Sequence, residues 1–350
     1  MRAFKTLFFL GIFFFCLISW FGYQYFQKPL SMSAYTIVHV QHGDSLRAIS
    51  ENLRLKGVIS NQDEFLLWGK IFRHGSKIRT GEYGIPTGTT MDGLFSILRS
   101  GKSLGYRVSI PEGSNMLEIA QRLEELKLCS AEAFMKVVRD PQFIRSVLGR
   151  SVFSLEGYLF PDTYFFTKID GAKIIARKLV QRFKDKTSHL TIPNGWSLDQ
   201  VVTLASIIEK ETGAEEERPL ISSVFHNRLR KKMRLQTDPT VIYAKYLVSG
   251  HYELKISRED LGLEHSYNTY RKHGLPPGPI SNPGLEALEA ALNPAPSEYL
   301  FFVSRNDGTH VFTTEYKDHL RAVGDFQLNK KAREGRSWRD LKKNRETLKR

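Results

Sequence analysis

Cysteine is almost missing from this chain. Cys16 and Cys129 are the only two among 350 residues. Cys16 sits in an apolar N-terminal stretch, so the rest of the chain has one thiol and no partner for an intrachain disulfide. There is no Cys-x-x-Cys, and the ten histidines are scattered, so no metal site is indicated and no cofactor is called for. Acidic residues are also short, with 37 Asp and Glu against 51 Lys and Arg and a net charge of +14. Much of that excess lies in residues 330–350, with ten basic and three acidic residues. Aromatic platforms are lacking there apart from Trp338, which argues against nucleic acid as a partner. A solvated helix face, an anionic membrane surface or a protein partner fits such a tail. The length suggests two or three domains.

Charge is absent from Leu7–Tyr23, which follows Arg2 and Lys5. At about 1.5 Å per residue this run spans roughly 25 Å, near the short limit for a membrane helix. Trp20, Tyr23 and Tyr25 suit an interfacial belt, and the basic flank predicts a cytoplasmic N-terminus with the bulk of the chain outside. A cleaved signal peptide would use Ser31-Met32-Ser33, but the apolar run is longer than an ordinary signal core and ends well before that site. A lipoprotein signal needs small residues before Cys16, where Phe13, Phe14 and Phe15 stand. An uncleaved single-span anchor is the expectation.

An internal repeat follows. Val38, Val40, Gly43, Leu46, Ile49 and Leu53 recur at an offset of 70 residues as Val108, Ile110, Gly113, Met116, Ile119 and Leu123. Each copy reads as a period-2 strand, a glycine turn and a helix stripe. Ser60 and Ser130 then stand in register as expected caps of a second helix. The first copy, with Gly43-Asp44-Ser45-Leu46, resembles a LysM domain, a β-α-α-β module that binds N-acetylglucosamine-containing glycans. A pair of compact spacers is the alternative. Further on, Leu155–Tyr164 mixes three aromatics with Glu156 and Asp162, a composition that serves either a core or a sugar-holding loop.

The stretch from Val201 to Glu211 carries helical periodicity, with Ser197 as a cap of that helix. On the helical wheel Glu211 falls between Leu204 and Ile207, on the apolar face, while Lys210 points to solvent. An acid held against apolar neighbours has its pKa raised, which suits a proton donor near neutral pH. A structural pair of Glu211 with Arg218 or Arg228 is the competing reading. Pro219 opens a further helix running to about Lys232. Leu235–Tyr243 is a polar bend entering an apolar run, in which Asp238-Pro239 could fix a turn. Tyr267–Tyr270 and Gly274–Gly284 are rigid loops. A short helix over Leu285–Leu292 and a hairpin of Tyr299–Val303 with His310–Phe312 close the domain.

Several strings together resemble the endolytic murein transglycosylases, the YceG-like family. They are Glu156-Gly157-Tyr158, Pro161-Asp162-Thr163, Ala205–Thr212, Glu217-Arg218, Asn227-Arg228-Leu229, Met233–Tyr243, Tyr267–Tyr270 and Gly274–Gly278. The resemblance implies a membrane-anchored extracytoplasmic enzyme of the bacterial inner membrane. Such an enzyme cuts murein glycan strands internally, leaving 1,6-anhydro ends and terminating elongation. It implies catalysis by Glu211, with Glu209 as the competing carboxylate. It also implies substrate contacts by Glu156, Asp162, Arg228, Gln236, Asp238, Tyr243, Asn268 and Tyr270. Murein glycan strands, the membrane and cell-wall synthases are the implied partners, and a non-catalytic glycan-binding scaffold is the alternative. The expected fold is α+β. Residues 1–6 are cytoplasmic, 7–25 the anchor, 36–86 the LysM-like module, 87–150 a second repeat-like lobe, 151–328 the mixed α/β catalytic domain and 329–350 the basic tail.

Overall fold

The computed structural model describes residue 20 and residues 28–71, 77–211 and 214–329. The expected anchor, apart from Trp20, lies outside them, as do Thr212 and the tail beyond Asn329. Among the described residues no helix is long and apolar enough to cross a membrane. The architecture is α+β, helices with small two-stranded sheets. The described chain divides into two compact units, residues 28–107 with 165–171 and residues 108–164 with 172–329.

The first unit is built on strand β1 (Thr36–Val40), helices α1 (Leu46–Leu55) and α2 (Gln62–Ile71), and strand β2 (Gly81–Ile85). β1 pairs antiparallel with β2, Thr36 opposite Ile85 and Val40 opposite Gly81. This is the β-α-α-β order expected for residues 36–86. The alternation of β1 turns Val38 and Val40 into the core, where they meet Ile49, Leu53, Phe65, Tyr83 and Ile85. Ser45 caps α1 by accepting from the Ala48 amide at 3.2 Å. At the second helix Asn61 takes the place expected for Ser60, its Oδ1 accepting from the Asp63 amide at 2.9 Å. Helix α3 (Met91–Ser100) adds Leu94, Phe95 and Leu98 to the same core, with Phe95 stacked on Phe65 at 4.5 Å. Burial of that apolar face places residues 91–100, expected in a second lobe, with the first unit.

Strand β3 (Tyr106–Ser109) opens the second repeat copy and pairs with β4 (Thr163–Phe166). Gly43 and Gly113, the matched glycines, both turn with positive φ, 88° and 73°, where a side chain would strain the backbone. Helix α4 (Met116–Glu125) begins with a capping box of Asn115 and Glu118. Ser130 caps α5 (Ala131–Val138), as expected, and α6 (Pro141–Leu148) follows. Helix α7 (Gly171–Thr187) leads to the central helix of the second unit, α8 (Leu198–Glu211). Ser197 and Gln200 cap α8 reciprocally, at 3.2 and 2.8 Å.

Every residue of α8 from Val201 to Ile208 is buried. It is enclosed by neighbours that include α9 (Arg218–Arg230), α10 (Asp238–Ser249) and α11 (Leu285–Leu292). Its polar positions are satisfied internally: Ser206 Oγ donates to the Thr203 carbonyl at 2.7 Å and accepts from the Ile280 amide at 3.1 Å. Lys210, expected to face solvent, donates to the Gly113 carbonyl at 3.1 Å. The unit ends with the hairpin β5 (Phe301–Ser304) and β6 (His310–Thr313) and helix α12 (Tyr316–Val323).

Candidate active site

A helix buried on all sides fixes whatever stands at its end, and α8 ends at Glu211. The C-terminus is the end of a helix least favourable to a carboxylate. Burial pushes the Glu211 carboxyl up to about 7, although the Thr237 hydroxyl bond and the Arg228 charge pull it down and Asp238 pushes it up. The Thr237 hydroxyl donates to Glu211 Oε1. Thr237 is itself pinned, its amide donating to Thr269 Oγ1 at 3.1 Å, while Thr269 and Thr240 share a hydroxyl bond of 2.8 Å.

Glu211 opens into a cleft of about 380 Å³. Its polar lining includes Arg228, Gln236, Thr237, Asp238 and Tyr270, and its aromatic lining Phe301, Phe302, Tyr316 and His319. Asp238 opens α10, followed by Pro239 in its first turn, where proline fits because the missing amide would be unpaired anyway. The Tyr270 hydroxyl donates to Asp238 Oδ1 at 2.7 Å. Gln236 adopts positive φ, 49°, a strained conformation for a non-glycine residue. The Arg228 guanidinium donates to the Leu300 carbonyl at 2.7 Å and the Leu235 carbonyl at 2.6 Å, so it clamps β5 against the cleft lining rather than serving as a simple counter-ion. Burial, the largest cause, pulls its pKa below the usual arginine range.

Glu209 stands elsewhere. Its side chain, 6% exposed, lies 3.4 Å from the Arg218 guanidinium, and its Oε2 accepts from the Gly284 amide at 2.9 Å. Arg218 also pairs with Glu286 and approaches Glu112 at 3.8 Å. Arg218, one of the two arginines considered as a partner for Glu211, is thus engaged by Glu209.

A model of the YceG-like family matches residues 38–325. The chain belongs to the YceG-like family. It is 32% identical over 323 residues to the endolytic murein transglycosylase of Bacillus subtilis strain 168, covering 87% of this chain and 88% of that protein. It is 27% identical over 346 residues to the endolytic murein transglycosylase of Streptococcus pneumoniae serotype 2 strain D39, covering 89% of this chain and 63% of that protein. A crystal structure of a YceG-like protein from Listeria monocytogenes superposes with a TM-score of 0.54 at 32% identity, covering 83% of this chain and 99% of that one.

Of the residues that the YceG-like resemblance marked, the cleft gathers Glu211, Arg228, Gln236, Asp238 and Tyr270. Glu156 is buried and accepts from the Met116 amide at 3.1 Å, Asn282 Nδ2 at 3.0 Å and the Tyr243 hydroxyl at 3.1 Å. It thereby holds the first residue of α4, and Tyr243, also buried, is occupied in holding Glu156. Asn268 donates to the Leu261 and Leu263 carbonyls at 3.0 and 2.8 Å and accepts from the Tyr270 amide at 2.9 Å, so it shapes the loop that delivers Tyr270. Asp162 pairs with Arg182 at 2.5 Å. Thr237, Phe301, Phe302, Tyr316 and His319 line the cleft without having been marked as site residues. Thr237 sat inside the Met233–Tyr243 string; no local pattern signals Tyr316 or His319.

Proposed function

We propose that this chain is a lytic transglycosylase that cleaves murein glycan strands internally, with Glu211 as its acid and base. The observation that carries this is the Glu211 carboxyl, pushed up to about 7, in the lining of a polar and aromatic cleft. Membership of the YceG-like family and relatives bearing the name endolytic murein transglycosylase support it.

A protonated Glu211 donates to the glycosidic oxygen between N-acetylmuramic acid and N-acetylglucosamine. The C1–O4 bond breaks and N-acetylglucosamine leaves as the alcohol. The muramic C6 hydroxyl then bonds to C1 and returns its proton to Glu211, so no water is consumed and a 1,6-anhydro end remains. One carboxyl suffices because the nucleophile belongs to the substrate; a hydrolase ordinarily needs two. The acetamido group can assist at C1 as in substrate-assisted enzymes, and holding C6–OH near C1 supplies a high effective molarity. Thr237 aims Glu211, and Asp238 with Tyr270 presents polar groups to the sugar edges. The uncharged run Leu7–Tyr23 with its basic flank supports a single-span anchor with this cleft outside the membrane. There the enzyme acts on nascent strands beside cell-wall synthases and terminates their elongation. The β-α-α-β order of residues 36–85 supports a glycan-contacting role for that module.

Digestion of purified sacculi, with products read by mass spectrometry, tests this. Anhydro-muramic ends from the wild type and none from Glu211→Gln are expected. Reducing ends would indicate a hydrolase. Sacculus binding without any cleavage would indicate a glycan-binding scaffold, and anhydro product from Glu211→Gln would remove Glu211 from the chemistry.

A further inference from the structure

The aromatic lining of the cleft contains one ring that its neighbours leave open. Phe301 is covered: His319 stacks on it at 5.2 Å with planes 24° apart, and the Arg228 guanidinium lies 5.3 Å from its centroid. Tyr316 packs against that group, 5.6 Å from Phe301 and 6.1 Å from His319, and remains 58% exposed. It is the first residue of α12, so its side chain leans back past the helix N-terminus. A single exposed aromatic is ordinary on a protein surface. Tyr316 differs because it lines the same cleft as Glu211, and because Phe301 and His319 stiffen its position before any ligand arrives.

We propose that Tyr316 is the platform on which one aminosugar ring of the glycan strand stacks, at a subsite beside the bond that Glu211 cleaves. This rests on the catalytic reading of the cleft. A β-1,4-linked gluco-configured pyranose carries its substituents around its edge and presents C–H groups on its faces. An aromatic ring removes one such face from water while the edge groups stay free to bond. The same cleft is lined by Asp238 and Gln236, polar groups available to the sugar's edge. An endolytic enzyme must grip sugars on both sides of the scissile bond, and Tyr316 supplies such a grip with little loss of side-chain freedom.

The test uses the full chain carrying Glu211→Gln and a peptide-free tetrasaccharide of alternating N-acetylglucosamine and N-acetylmuramic acid, with binding followed by calorimetry. Adding Tyr316→Ala is expected to weaken binding about tenfold, while Tyr316→Phe stays within about twofold. Equal affinity for Tyr316→Ala and its parent overturns the platform. So does no binding by the parent, or equal loss with Phe and Ala, which would point to the hydroxyl instead of the ring face. Thermal unfolding of Tyr316→Ala should match the parent, since the ring is largely exposed. The catalytic reading fails separately, through sacculus digestion by Glu211→Gln.

Discussion

The hydroxyl of Thr237 donates to the carboxyl of Glu211 and so ties the last residue of α8 to the residue that precedes α10. The bond opposes burial: burial favours the neutral acid, and the hydroxyl favours the anion. This contact orients the acid and partly offsets the effect of burial on its proton.

Thr237→Val removes that donor while keeping the shape of the side chain. The first step needs protonated Glu211, so activity should stand high below about pH 7 and fall above it. In Thr237→Val the alkaline limb should move upward, and kcat should fall by roughly tenfold because the carboxyl is no longer aimed. The pH profile of kcat/KM on soluble glycan strands reads both effects. An alkaline limb that stays in place would show that Thr237 leaves the proton on Glu211 untouched.

The two glutamates separate by what each loss does. Glu211→Gln should abolish product while leaving thermal unfolding unchanged or slightly improved, since it removes a carboxyl held in an unfavourable place. Glu209→Gln takes a charge from a pair in which Arg218 is only 7% exposed. Breaking a buried pair typically costs about 3–5 kcal/mol. Glu286 and Glu112 still face Arg218, so a loss nearer about 2 kcal/mol is expected, with residual activity below the melting transition. A stable but inactive Glu209→Gln would exchange the roles.

The sequence made the chain order of this fold readable wherever structure is local. Ser197 as a cap, Pro219 in the first turn of α9 and the paired Gly43 and Gly113 turns all follow from short-range sterics. The second-helix cap falls on Asn61 and not on Ser60; both residue types can cap, and the sequence alone does not choose between neighbours. The wheel placed Glu211 correctly on an apolar face, yet it could not weigh α8 as a whole. From Val201 to Ile208 every position is buried, so periodicity carries little contrast there. Tyr243, which the resemblance marked as a substrate contact, bonds to Glu156, a partner 87 positions away that no local pattern signals; the bonds of Asn268 are local, to Leu261, Leu263 and Tyr270. Tyr316 and His319 entered the cleft unannounced because α12 packs on the distant β5–β6 hairpin, a contact that no local pattern signals.

Gly157 gives a test of the packing under the site. Its φ is 87°, and a Cβ there would lie 2.5 Å from Pro279 Cγ and 2.6 Å from Val202 Cγ1. Gly157→Ala therefore combines backbone strain with overpacking against α8, a loss on the order of 3 kcal/mol or more. Denaturant unfolding should show a lower midpoint with an unchanged slope. A variant as stable as wild type would mean that the 155–160 loop can move away from α8 without cost.

Glu156 supplies the remaining prediction, and its sign follows from burial. Burial pushes its carboxyl up to about 8, with bonds from Met116 and Tyr243 pulling it down. At neutral pH the folded chain therefore keeps a proton that the unfolded chain has released. The folded state binds more protons, so its stability is fully present below about pH 4.5, falls as pH rises, and levels off above about 8. The integrated loss is on the order of a few kcal/mol. Glu211, with a smaller shift in the same direction, adds to it between about 4.5 and 7. Glu156→Gln keeps one oxygen acceptor at this position and removes the titrating group. It should fold, and it should be markedly flatter than wild type when unfolding free energies are compared at pH 5, 7 and 9. The same slope in both proteins would show that Glu156 is ionised in the folded state, stabilised as an anion by the Met116 amide, Tyr243 and Asn282.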